Sequence, residues 1–122
     1  MLNKKVILWF VLLSAAFRAD AQLFINEIMS NNQNTIQDND GDYSDWIELY
    51  NAGASAVNLQ GYGLSDNPDS LLKYVFPSKT IAAGGFLRVW CSGKNVSITG
   101  VAAQTNFSLS SRPSQFPTVE LM

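Results

Sequence analysis

Apolar and polar positions alternate along this chain in short blocks, not at helical spacing. LFINEIM (Leu23 to Met29), DWIELYN (Asp45 to Asn51), LKYVFP (Leu72 to Pro77), FLRVWCS (Phe86 to Ser92) and PTVELM (Pro117 to Met122) are rich in β-branched and aromatic residues, which suit a pleated, half-buried surface. The stretches DNDGD, NAGAS, SDNPDS, AAGG, SGKN and SSRPS lie between them, and such clusters of Asn, Asp, Gly, Ser and Pro punctuate strands with turns. AVNLQGYGLS and TNFSLSS supply shorter strands. Beyond the N-terminal leader no window keeps apolar residues at helical spacing over three turns. The pattern predicts roughly six to eight strands and no helix, an all-β antiparallel sandwich or barrel.

Alternation also assigns faces, because successive side chains of a strand point to opposite sides. With Ile47 and Leu49 in the core, Trp46, Glu48 and Tyr50 share the other face. Leu87, Val89 and Cys91 likewise form one face, and Phe86, Arg88 and Trp90 the other. Cys91 thus falls on the apolar side, where a free thiol behaves as a small inert hydrophobe. The opposite face mixes aromatics with Glu48 and Arg88, which are expected to pair across strands.

The start of the chain has a different pattern. Lys4 and Lys5 precede an apolar run from Val6 to Phe17, and Ala19-Asp20-Ala21 supplies small residues; these are the three regions of a secretory signal peptide. The run is shorter than the roughly 20 residues a spanning helix needs, so residues 1–21 read as a leader helix removed after Ala21. No cysteine comes next as a lipid acceptor. The mature chain is expected to be secreted, extracellular or periplasmic and cell-surface associated, with no membrane contact after cleavage.

The remaining 101 residues, 22–122, fit one domain. Cys91 is the only cysteine, so no internal disulfide staples the core although the exported compartment would permit one. Lys73, Lys79, Arg88, Lys94 and Arg112 stand against nine carboxylates, a formal charge of −4. A surface with scattered cations and net negative charge repels nucleic acid, so none is expected as a partner.

The order INEIM, DNDGDYSDWIELYN, VNLQGYGLSD, KYVFP, TIAAGGFLRVWCSGKN and TNFSLSS resembles the lamin-tail domain family, in particular its secreted bacterial members. The Tyr74 to Pro77 element, the Ala83-Gly84 turn and the Val89 to Gly93 run are similar to counterparts in nuclear lamin tails. The resemblance spans about Leu23 to Ser111 and implies an immunoglobulin-like β-sandwich. After it the chain departs from the pattern: RPSQFP precedes TVELM, and Pro113 and Pro117, lacking an amide hydrogen, do not fit the middle of a paired strand. The chain stops as that strand ends. Bacterial relatives often sit beside spore-coat kinase-like or hydrolase domains, so an accessory fragment of a larger secreted protein is the alternative to a free-standing module.

Candidate chemistry is sparse. Asp38, Asp40, Asp42 and Asp45 crowd one loop, but Tyr43 and Leu49 occupy the positions where an EF-hand needs glycine and a bidentate glutamate. A less regular calcium site on the four aspartates competes with the plain reading of an acidic, solvated turn; no other cofactor is expected. There is no histidine, which removes the usual base for a serine or cysteine nucleophile. Asp45 and Glu48 fall on opposite faces of their strand, and Glu27 near Glu48 is explained by structural pairing. The protein reads as a non-enzyme. Trp46, Glu48, Tyr50, Arg88 and Trp90 form the candidate binding face, with a protein or cell-surface partner first and carbohydrate second. Burial remains the default fate of its tryptophans. Asn95 and Asn106 match the N-glycosylation pattern.

Overall fold

The computed structural model describes residues 23–109 and 120–121. Within them the elements run β1 (Leu23–Met29), β2 (Asp45–Asn51), β3 (Val57–Asn58), β4 (Gly63–Ser65), β5 (Tyr74–Val75), β6 (Thr80–Ile81), β7 (Phe86–Cys91) and β8 (Glu120–Leu121). β1 and β2 have the bounds that alternation predicts. LKYVFP narrows to β5, PTVELM narrows to β8, and TNFSLSS supplies one bridge, Ser108 to Ser92, in place of a strand. β6 forms where the pattern predicts none. The leader, its cleavage site, Pro113 and Pro117 lie outside the described residues. Among the described residues no helix is long and apolar enough to cross a membrane.

All strand pairs are antiparallel. β1, β2 and β7 form one sheet in that order, β3 pairs with β6, and β5, β4 and β8 form a second three-stranded sheet. Ile47, Leu49, Val89 and Cys91 project inward from the first sheet and join Leu59, Leu64, Tyr74, Phe76, Ile81 and Phe107 in one core. Each fully buried Leu- or Phe-sized side chain contributes about 1.5–3 kcal/mol by leaving water. The result is an all-β, immunoglobulin-like antiparallel sandwich without a disulfide, Cys91 being free and buried.

The two edges of the β1–β2–β7 sheet differ. Beside β7, the Trp90 amide donates to the Ala103 carbonyl (3.0 Å) and the Thr105 amide to the Trp90 carbonyl (2.8 Å), so residues 103–105 cover that edge. β1 has β2 on one side and no described strand on the other, and a bulge interrupts its register between Ile25 and Glu27.

Asn51 ties the end of β2 to the rest of the sandwich. Its buried side-chain amide donates to the carbonyls of Ser55 (2.8 Å), Ile81 (3.0 Å) and Ala82 (3.3 Å), and its oxygen accepts the Gly53 amide (3.0 Å). Its backbone carbonyl accepts from Gly84 (2.7 Å). Gly84 holds a φ of 70°, a left-handed conformation that glycine adopts without a Cβ penalty. This one amide therefore satisfies the backbone of two separate turns, as buried polar groups require.

Candidate functional site

Asp38 organises the loop between β1 and β2. Its side chain is fully buried. One carboxylate oxygen accepts the backbone amides of Asp40 (2.9 Å) and Asp42 (3.1 Å), the hydrogen bonding by which aspartate builds turns. The other accepts Ser44 Oγ (2.6 Å) and Lys94 Nζ (2.8 Å). Lys94 Nζ also donates to Oδ2 of Asp40 and of Asp42, each at 2.8 Å. Three of the four aspartates singled out in the sequence thus converge on an ammonium. Burial alone would push the Asp38 carboxyl up; hydrogen bonds from Lys94, Ser44 and the two amides outweigh it and hold the group at about 2. Lys94 is raised by its hydrogen bonds to Asp38, Asp40 and Asp42. Asp40 is lowered, chiefly by Lys94 and next by Gln104.

Asp45 stands apart from this clasp. Its Oδ1 accepts the Asn32 backbone amide (2.9 Å), while the Asn32 side chain donates to the carbonyls of Ile36 (2.7 Å) and Ser44 (2.9 Å). Among the described residues no group of three or more His, Cys, Asp or Glu side chains is arranged to hold a metal ion. Lys94 is the participant that sequence reasoning missed. It lies more than 50 residues from its partners, and no local pattern marks it.

The outer face of the β1–β2–β7 sheet is built in rows. Phe24, Tyr50 and Phe86 stand in register across the three strands, and the rings of Tyr50 and Phe86 stack at 4.6 Å with 21° between planes. Phe24 and Phe86 are 50% and 57% exposed. The next row holds Glu27, Glu48 and Arg88, and the third Met29, Trp46 and Trp90. The bulge sets this pattern. Plain alternation would put Phe24, Asn26 and Ile28 on one face, but the extra residue turns Ile28 toward the Ile47 side and brings Glu27 and Met29 outward.

On this face the tryptophans meet their default fate, and the expected pairing of Glu48 with Arg88 needs correction. Trp46 and Trp90 are buried at 4% and 6% exposure, and the Arg88 guanidinium lies over both rings, 4.9 Å and 5.7 Å from their centroids. Glu48 and Arg88 face each other in register, yet no ion pair joins them among the described residues. Glu48 Oε1 instead accepts Asn26 Nδ2 (2.9 Å), and Arg88 is spent on the indoles. The indole N–H of Trp46 is buried without a partner among the described residues. The exposed aromatics are therefore Phe24 and Phe86, flanking the half-buried Tyr50. Phe24 and Asn26 are absent from the set that alternation of β2 and β7 suggests, since they stand on β1 and reach this face through its pairing with β2.

Cys91 lies on the apolar side, as alternation predicts, and burial pushes its thiol up to about 12. A thiol so protonated is a poor nucleophile. A family model described as Lamin Tail Domain matches residues 17–121 of the chain. No curated protein and no solved structure matches it significantly.

Proposed function

Because the chain belongs to the lamin-tail domain family, whose immunoglobulin-like domains are non-catalytic, we propose that it is an attachment module with no activity of its own. In this reading residues 1–21 direct export and are removed, and residues 22–122 hold a protein or a cell surface through the outer face of β1–β2–β7. The observation that carries it is a rigid sheet face that leaves Phe24 and Phe86 in water beside an arginine with no carboxylate partner among the described residues. A large exposed aromatic is a recognition feature when neighbouring rings fix its position. The absence of histidine and the closed Lys94 clasp fit a module without catalytic machinery.

The test is sedimentation of the tagged, leader-processed protein with washed cell envelopes of the expressing organism. Wild type is expected in the pellet, and Phe86→Ala with Arg88→Met in the supernatant. Equal partition of the two proteins, with unchanged circular dichroism, would refute the assignment of this face. Mass spectrometry of the secreted protein is expected to place Gln22 at its N-terminus.

A further inference from the structure

The rows of the outer face have a chemistry more specific than a generic docking surface, and the ligand class they define presupposes that this face is the one that docks. Aromatic carbon fills one row, from Phe24 through Tyr50 to Phe86. Adjacent strands are about 4.8 Å apart, so this row is roughly 10 Å long. One step along the strands on the same side, about 7 Å away, stand a carboxylate and a guanidinium that do not neutralise each other. Glu48 is held by Asn26. Arg88 is held over Trp46 and Trp90, 4.9 Å and 5.7 Å from their ring centroids, and has no hydrogen-bond acceptor among the described residues. A fixed donor head and a fixed acceptor head thus lie side by side next to exposed ring surface.

Elimination narrows the ligand class. An apolar partner would strip water from Arg88 and Glu48 and return nothing, which is costly for charged groups. An anion would satisfy Arg88 but meet Glu48 and Glu27 in the same row, on a chain whose mature part is already negative. A cation would meet Arg88. A neutral polyhydroxyl ring answers each demand: its hydroxyls donate to Glu48 and accept from Arg88 and Asn26, and its C–H face lies on Phe86 or Phe24. We infer that this face, with Phe24, Asn26, Glu48, Tyr50, Phe86 and Arg88 as contacts, is a binding site for neutral carbohydrate. The two buried tryptophans serve it indirectly, as the surface on which Arg88 is positioned.

The experiment titrates the leader-processed full chain, monitored by two-dimensional amide NMR, with cellohexaose and hexa-N-acetylchitohexaose, and in parallel with an oligogalacturonate and a neutral apolar peptide. Saturable shifts confined to β1, β2 and β7 are expected with at least one neutral glycan. Phe86→Ala and Arg88→Met are expected to weaken them tenfold or more, and Tyr43→Ala, an exposed aromatic elsewhere, to leave them unchanged. Flat titrations with both neutral glycans would overturn the proposal, as would binding indifferent to Phe86→Ala or a preference for the uronate or the peptide. Failure here is separable from failure of the docking face. Envelope binding that is lost in the double variant but survives periodate oxidation of the envelope glycans would retain the face and discard the sugar. Envelope binding indifferent to the double variant would remove the face itself.

Discussion

The molecule contains two polar knots that join distant parts of the chain, and they are built on opposite principles. Asn51 is neutral, fully buried and saturated by backbone partners. Lys94 holds three aspartates, each at 2.8 Å; the Asp38 carboxylate is buried and the other two are more than half exposed. Counting charges would rank the second knot first. Physical chemistry reverses the order, because water and salt screen the two exposed pairs of the clasp, whereas a buried amide that loses its partners leaves groups unsatisfied at about 1–3 kcal/mol apiece. Burial, more than formal charge, decides which knot holds the fold.

The most damaging way to probe this contrast is Asn51→Ala. It removes the side-chain donor to the carbonyls of Ser55, Ile81 and Ala82 and the acceptor of the Gly53 amide, and is expected to cost about 3 kcal/mol, read as a lower urea midpoint that 1 M salt does not restore. Asp38→Ala comes next. It removes the buried member of the clasp and the turn bonds to Asp40 and Asp42, with an expected loss of about 1–2 kcal/mol. Lys94→Gln should lower the melting temperature by less than either, and its deficit should shrink in 1 M sodium chloride as wild type loses the same screened attraction. Trp46→Phe should change stability least, by under about 1 kcal/mol, since the lost ring volume is offset by removal of an unpaired buried N–H.

Acidity separates the knots a second way. The Asp38 carboxyl is held at about 2 against an ordinary 3.8, so the folded state binds this proton more weakly than the unfolded chain does. Its contribution is complete above roughly pH 4 and disappears as pH falls from about 4 to about 2. Lys94 is raised, so its contribution is present below its ordinary value and lost as pH climbs through the raised one. Urea midpoints measured across this range should fall at the acid end in wild type. The fall should flatten in Asp38→Asn, whereas Asn51 contributes no pH dependence at any point.

How far the sequence goes can be read from particular residues. β1 and β2 take their predicted bounds for different reasons: in β2 the fully buried Ile47, Leu49 and Asn51 alternate with the half-buried Glu48 and Tyr50, whereas in β1 the run of strand-forming residues marks the ends although the bulge breaks its alternation. β6 is not legible, since two residues between PSK and AAGG form no period; Thr80–Ile81 becomes a strand by pairing with Val57 and Asn58. Leu72 belongs to an apolar run that predicts a strand, yet it lies outside β5 and is largely exposed. Its side chain rests where a Cβ on Gly63 would come within 2.5 Å, a tertiary fit that no window of residues displays. At the site, alternation correctly puts Trp46, Glu48, Tyr50, Arg88 and Trp90 on one face. A face is not an exposure, however, and the same rule has no means to show that Arg88 lies down over the indoles. The partner of the acidic loop is invisible for a related reason, as a contact across half a chain leaves no trace in local order.

The bulge at Ile25 to Glu27 also interrupts the rim on which β1 has no partner strand among the described residues. β1 is seven residues long and apolar at Leu23, Phe24, Ile25, Ile28 and Met29, the composition of a strand that recruits further copies of itself. An unbroken ladder there would offer a template for end-to-end stacking into fibres. The extra residue breaks the hydrogen-bonding pitch at mid-strand, and Asn26 and Glu27 place polar groups where an invading backbone would have to zip past. The kink that aims side chains outward thus also works against edge-to-edge pairing of neighbouring molecules along that rim.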